Sequence, residues 1–195
     1  MKVHQVPFQE TGYFSKIICD YLNKDSKLAN FYGNFPNIEG FKKQLQLKAG
    51  FAKENREILS QSIQNQYENL QGKEFVSENI ELLKKENTFT ITTGHQLNLF
   101  TGPLYFLYKI ICTINLTKKL KLEFPTYNFV PVYWMATEDH DFEEIQYFNF
   151  KSQKVIWEKE ANGAVGRLST DGLEAVFETF SNLLNSSINA NELRE

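Results

Sequence analysis

The chain has 195 residues, with 21 Lys+Arg against 24 Asp+Glu, a formal charge of -3 and 42% hydrophobic residues, which excludes a disordered or fibrous polypeptide. No cationic excess is available to neutralise a phosphate backbone, so nucleic acid is not an expected partner. The opening MKVHQVPFQETGYF lacks the apolar centre of a signal peptide, and the longest apolar run, Phe129 to Ala136, is too short for a bilayer and contains Pro131, so no membrane partner and a cytoplasmic location are expected.

The first 87 residues read as an N-terminal helical segment. Thr11 or Ser15 opens a short helix whose Ile17, Ile18, Tyr21 and Leu22 share one face, and a turn follows at Tyr32 to Pro36. From Phe41 to Leu70 apolar residues recur at roughly helical spacing among Lys, Gln, Glu and Asn, the pattern of one long solvated helix or a helical pair. Ser77 caps a third segment, Glu78 to Lys85, with Glu81 placed to pair with Lys85. Cys19 and Cys112 lie far apart in apolar surroundings, which suits packed, reduced thiols rather than a disulfide or a zinc site.

At Thr88 the texture changes. Thr88 to Thr93 is β-branched and aromatic, as in a core strand, and Gly94 to Pro103 reads as a loop, with Pro103 at the first position of the next helix. That helix, Leu104 to about Lys119, is apolar on nearly every side and is expected to be buried. Phe129 to Met135 has the texture of a strand covered on both faces. Strand, loop, helix, strand is a βαβ unit, with parallel strands and a right-handed crossover. Residues 88–145 thus form one βαβ unit. Residues 146–195 read as a small antiparallel element and a last helix: short runs at Tyr147 to Phe150 and Lys154 to Glu158, a hairpin turn at Asn162-Gly163, a run from Val165 to Leu168, a helix from Thr170 or Asp171 through Leu184, and a polar tail.

In open α/β sheets ligands sit beyond the carboxyl ends of the strands, which singles out the segments after the two strands. The first, from Gly94 to Gly102, offers small residues, hydroxyls and free backbone N–H groups at a helix start, a recipe for holding an anion, although it matches neither GxGxxG nor GxxxxGK[ST]. Lys109, near the face of Tyr105, Phe106 and Thr113, could direct its ammonium to an anionic ligand or simply snorkel. His95 reads either as a hydrogen-bonded loop histidine or as a polarising group. The second segment, Ala136 to Glu144, crowds Glu138, Asp139, His140, Asp141, Glu143 and Glu144 behind an apolar strand. These could hold a cation, an amine or a ribose, or work in acid/base steps, unless Asp141 merely caps a turn with Glu144 returning to the backbone. The spacing is not that of a dedicated metal site, so no metal is expected.

The runs TGHQLNLFTGPLYFLYK, Thr93 to Lys109, and FVPVYWMATEDHDFEEI, Phe129 to Ile145, resemble the bacillithiol biosynthesis cysteine-adding enzyme family. Asn79 to Leu83 and Lys154 to Trp157 look similar too, so the likeness covers most of the chain. The resemblance implies an α/β fold with a Rossmann-like parallel sheet akin to class I aminoacyl-tRNA synthetases, its first half in residues 88–145 and the start of a connecting-peptide-like α+β insertion in residues 146–195, and a homodimer formed through a coiled coil. It implies a ligase joining cysteine to glucosaminyl-malate in the last step of bacillithiol biosynthesis, with ATP as the expected nucleotide. The His-x-Gly-His signature of class I synthetases is replaced here by Phe100-Thr101-Gly102-Pro103. Family members are longer, so this chain is expected to be an N-terminal portion, without the second half of the sheet or the coiled coil, and to have little activity alone. The resemblance puts Gly94, His95, Gln96, Asn98, Thr101 and Gly102, with Glu138 and Asp139, around substrate or nucleotide. It gives Lys109, His140 and Asp141 the catalytic roles. Two other readings of the residues stand beside it: a metal-assisted hydrolase built on Glu138 to Asp141, and a non-catalytic truncated module.

Overall fold

The computed structural model describes residues 4–100 and 102–195 and divides the chain into two compact units, Met1–Asn55 and Arg56–Glu195. The first unit holds α1 (Phe8–Thr11), α2 (Lys16–Leu22), a 3-10 turn (Ser26–Phe31) and α3 (Ile38–Lys48). Its aromatic residues cluster locally, Tyr21 lying 5.2 Å from both Tyr32 and Phe35. The Asn37 side chain caps α3 by accepting from the Gly40 N–H at 2.8 Å.

The run from Phe41 to Leu70 proves to be a helical pair, α3 followed by α4 (Lys53–Tyr67). The polar stretch of α4 is not wholly solvated: Arg56 and Ser60 are buried. The Arg56 guanidinium donates to the carbonyls of Leu83 at 3.2 Å, Glu86 at 3.2 Å and Thr88 at 3.0 Å, and Ser60 Oγ donates to the Ile80 carbonyl at 3.1 Å. Those acceptors lie on α5 (Ser77–Leu83), in the turn after it and at the beginning of β1 (Thr88–Gln96), so α4 is fastened where the helical segment gives way to the sheet. Ser77 does not cap α5. Its hydroxyl donates to the Glu74 carbonyl, and Glu81 pairs with Lys84 rather than Lys85, at 2.6 Å.

β1 pairs in parallel with β2 (Asn128–Ala136), in register from Thr88↔Asn128 to Gln96↔Ala136, and α6 (Leu104–Glu123) makes the crossover. The strand therefore continues through Gly94, His95 and Gln96, which the sequence assigns to the loop. β2 supplies partners that far, and Gly94 permits it: a Cβ there would stand 2.9 Å from the Trp134 carbonyl oxygen and 3.0 Å from Trp134 Cβ. Pro103 is the residue before the helix rather than its first residue.

Burial of α6 is one-sided. Thr113, Thr117 and Leu120 face the sheet and are buried, while Leu104, Leu107, Tyr108, Ile111 and Ile114 form a second apolar stripe that is exposed. The composition of the helix predicts burial all round, yet only one face of a helix can meet a single sheet. Cys112 lies on the outer side and is exposed, not packed. In β2, Phe129 and Val130 are buried but Trp134 and Met135 are exposed, so only the first half of that strand is covered on both faces.

After β2 come α7 (Phe142–Ile145), an antiparallel hairpin of β3 (Tyr147–Phe150) and β4 (Gln153–Ile156), a 3-10 turn (Val165–Arg167), α8 (Leu173–Leu183) and α9 (Ile188–Glu192). The hairpin turns at Lys151-Ser152, both with positive φ (48° and 62°), rather than at Asn162-Gly163. Lys151 is held there by donating from Nζ to the Leu183 carbonyl at 3.0 Å. Val165 to Leu168, read as a strand, has no partner strand and forms the 3-10 turn, and the polar tail folds into α9. Leu99, Phe142, Ile145, Val155, Trp157, Val165 and Val176 make a second core. No helix among the described residues is long and apolar enough to cross a membrane.

Candidate functional site

Because β1 and β2 run in parallel and end in register, the segments that follow them leave the same edge of the sheet. The first is then pinned by its apolar residues. Leu99 enters the second core with Leu97 against it, and Phe100, at φ 52°, sets its ring 5.6 to 6.0 Å from Phe148, Phe177 and Phe180. The leucines and phenylalanine of this loop are thus structural, and its polar residues are left to face elsewhere.

Successive residues of a strand point to opposite faces, and this divides the candidate residues into two groups. His95 faces α6. Its Nε2 lies 2.7 Å from Tyr105 Oη, its Nδ1 lies 3.0 Å from Asn98 Nδ2, and its ring meets the edge of Phe106 at 5.9 Å. Lys109, one turn beyond Tyr105, donates from Nζ to the Gly94 carbonyl at 2.9 Å. Tyr133 of β2 donates its hydroxyl to the His95 carbonyl at 3.4 Å, and burial pushes that hydroxyl's pKa up, so it remains a neutral donor.

Gln96 faces the other way, toward the acidic segment, and its Nε2 donates to Glu144 Oε2 at 2.8 Å. The hydrogen bond from the Gln96 side chain, then the backbone N–H of Asp141, hold the Asp139 carboxyl below its ordinary range. The Asp141 N–H lies 3.2 Å from Asp139 Oδ1. The 3-10 turn locks the segment from behind, the Val165 N–H donating to the Asp139 carbonyl at 2.7 Å and the Gly166 N–H to the Thr137 carbonyl at 3.0 Å. Asp141 precedes α7 without capping it through its side chain, and Glu144 meets Gln96 rather than the backbone.

The structure therefore brings Gln96 together with Asp139, Asp141 and Glu144. It gathers Gly94, His95, Asn98 and Lys109 on the α6 side. Glu138, His140 and Asp141 stand exposed at the rim. Gly102 makes the turn into α6 at φ 64°, with its N–H on the Leu99 carbonyl at 3.1 Å, and a Cβ there would press Asn98 at 3.1 Å. Thr101 lies outside the described residues. Between Gln96, Ala136, Asp139 and Val165 runs a crevice too narrow for a water molecule. A cavity of about 360 Å³ lies instead between α4 and α5, lined by Gln61, Gln64 and Lys73 among others, and contains none of the candidate residues.

Among the described residues no three His, Cys, Asp or Glu side chains converge as a metal-ion site, so the hydrolase reading lacks a ligand set there. Sequence reasoning misses Glu144 as Gln96's partner and Tyr105 as His95's. Strand alternation along Thr93 to Gln96, and the four-residue step from Tyr105 to Lys109, are the signals for them.

A lowered Asp139 pKa makes a pH prediction. A carboxylate whose folded pKa is depressed contributes stability that is present above its unfolded pKa of about 3.9 and lost as pH falls through the folded value. Thermal melts from pH 3 to pH 7 are expected to show the native chain ahead of Asp139→Asn at neutral pH, with the gap closing below about pH 4. A constant gap across that range would remove the charge from the account.

Over residues 1–195 the chain matches the family described as Bacillithiol biosynthesis BshC, N-terminal Rossmann-like domain. The chain belongs to the BshC family. The Rossmann-like assignment agrees with the parallel β1–β2 pair and its helical crossover. Proteins named "Putative cysteine ligase BshC" are similar throughout. That of Flavobacterium johnsoniae is 59% identical over 191 residues, 97% of this chain and 36% of its own length. That of Christiangramia forsetii is 50% identical over 199 residues, all of this chain and 37% of its own length. That of Cytophaga hutchinsonii is 40% identical over 181 residues, 93% of this chain and 34% of its own length. The chain thus spans a little over a third of the length of the BshC relatives it matches.

Proposed function

We propose that this BshC domain supplies the N-terminal half of the active site of a cytoplasmic ligase that joins cysteine to glucosaminyl-malate with ATP as activator. The observation that carries the reading is the Gln96–Glu144 hydrogen bond, which joins the two motif runs at the carboxyl edge of the parallel pair, where α/β folds bind ligands. Forming an amide from a carboxylate and an amine demands two things. The carboxyl oxygen must leave with an activating group, and the attacking nitrogen must lose a proton. The start of α6 and Lys109 favour the negative charge of an activated carboxyl or phosphate. The carboxylates of Asp139, Asp141 and Glu138, with His140, suit an ammonium and its deprotonation. The remaining wall of the site, and the coiled coil through which the protein would dimerise, fall to the additional length of the BshC relatives.

The test is a chimera in which this chain replaces the matching segment of the Flavobacterium johnsoniae protein. Supplied with cysteine, glucosaminyl-malate and ATP, it is expected to give the cysteinyl amide by mass spectrometry. Lys109→Ala and His140→Ala are each expected to lower the rate by about 100-fold. Full rate in both variants would overturn the site, and undiminished product without ATP would overturn the nucleotide.

A further inference from the structure

The neighbours of His95 favour one arrangement of its protons. The Asn98 side-chain nitrogen donates to the Gln96 carbonyl at 2.9 Å, and a carbonyl can only accept, so the amide is oriented without ambiguity. The same nitrogen lies 3.0 Å from His95 Nδ1, which accepts its second N–H when it presents a lone pair. The neutral ring therefore carries its hydrogen on Nε2. In the other neutral tautomer Nδ1–H would donate to the Gln96 carbonyl, 3.0 Å away, but would set two N–H donors against each other across the 3.0 Å to the Asn98 nitrogen, which disfavours it.

Nε2–H points at Tyr105 Oη, 2.7 Å away, and the phenol oxygen accepts. Tyr105 must aim its own O–H elsewhere. It is 53% exposed, and its oxygen has no second partner among the described residues. A hydroxyl that accepts one hydrogen bond becomes a stronger donor of the next, by roughly 10–30% per bond. Beside it, the Lys109 ammonium lies 5.9 Å from the Tyr105 ring centroid and gives one N–H to Gly94, keeping further donors.

We propose that Tyr105 is the group through which this side of the site acts, donating a hydrogen bond to a substrate oxygen that gains negative charge, with His95 and Asn98 as positioning residues behind it. The inference rests on the ligase reading for the identity of that oxygen, the one on the activated carboxyl carbon that the amine attacks. Tyr105 keeps its proton; the proton lost by the amine goes elsewhere. The Tyr105 O–H shortens its bond to the oxygen as charge develops there and relaxes when the activating group departs, and Lys109 adds a positive charge alongside.

Two measurements test it. The chain contains only 3 histidines, so nitrogen-15 spectra of histidine-labelled protein resolve His95 directly. The Nε2–H tautomer is expected, giving way to a mixture in Asn98→Ala. An Nδ1–H ring in the native chain overturns the proposal whatever the protein's reaction. In the chimera, Tyr105→Phe is expected to lower kcat by about 100-fold with the KM for cysteine changed less than about two-fold. His95→Ala is expected to do the same, and the double variant to be no slower than either single one, as for groups acting in series. A chimera that ligates while Tyr105→Phe keeps full rate, or a double variant whose losses multiply, overturns the proposal. A chimera that makes no amide overturns the ligase reading instead, and the tautomer result stands apart from it.

Discussion

Replacing Arg56 by Met is expected to lower the stability of the fold by about 3 kcal/mol or more, seen as a fall of roughly 1–2 M in the urea midpoint. The side chain is 5% exposed, and its guanidinium donates to the carbonyls of Leu83, Glu86 and Thr88. Methionine fills much of the same volume but supplies no donor, and an unsatisfied buried carbonyl costs about 1–3 kcal/mol. Arg56→Lys is expected to recover only part of the loss, because one ammonium on a flexible stem does not reproduce a planar fork of donors. An unchanged midpoint in Arg56→Met would mean that these bonds exchange for water at no cost.

The second large effect falls on Gly94. Gly94→Val is expected to destabilise the protein by about 3 kcal/mol and to abolish ligation by the chimera. The first side-chain carbon would already stand 2.9 Å from the Trp134 carbonyl oxygen, an atom of the partner strand's backbone that cannot swing aside, and valine adds two methyls beyond it. Relief requires β1 and β2 to part at the end where both candidate segments begin. Gly94 also presents the carbonyl that holds Lys109, and it directly precedes His95. Separation of the strands would therefore move the groups on both faces together. Urea melts and the amide-forming assay check the two halves. Native stability and rate in Gly94→Val would show that the strands separate there without consequence.

Much of the βαβ unit was legible without coordinates because its signals are local. Thr88 to Thr93 is mostly β-branched, Gly102-Pro103 punctuates the chain before a long apolar helix, and Phe129 to Met135 is an unbroken apolar run. The hairpin was not legible. Lys151-Ser152 adopts two left-handed conformations without a glycine, while Asn162-Gly163 has the composition of a turn but no second strand to join. The acidic cluster could be found by composition, yet which of its members meets the first segment could not. Glu144, read as returning to the backbone behind an Asp141 cap, is the one that receives Gln96.

The sequence alone determined the family, the parallel strand pair and the residue types gathered near its carboxyl edge, since each follows from periodicity, punctuation and a long specific run. Only the tertiary structure decided which face each residue takes. Register with β2 extends β1 to Gln96, and the two-residue alternation of a strand then turns His95 to Tyr105 and Gln96 to Glu144. Likewise an α-helix that is apolar all round does not choose its buried side; the sheet does, leaving Leu107, Tyr108 and Ile111 outward while Leu120 is fully enclosed.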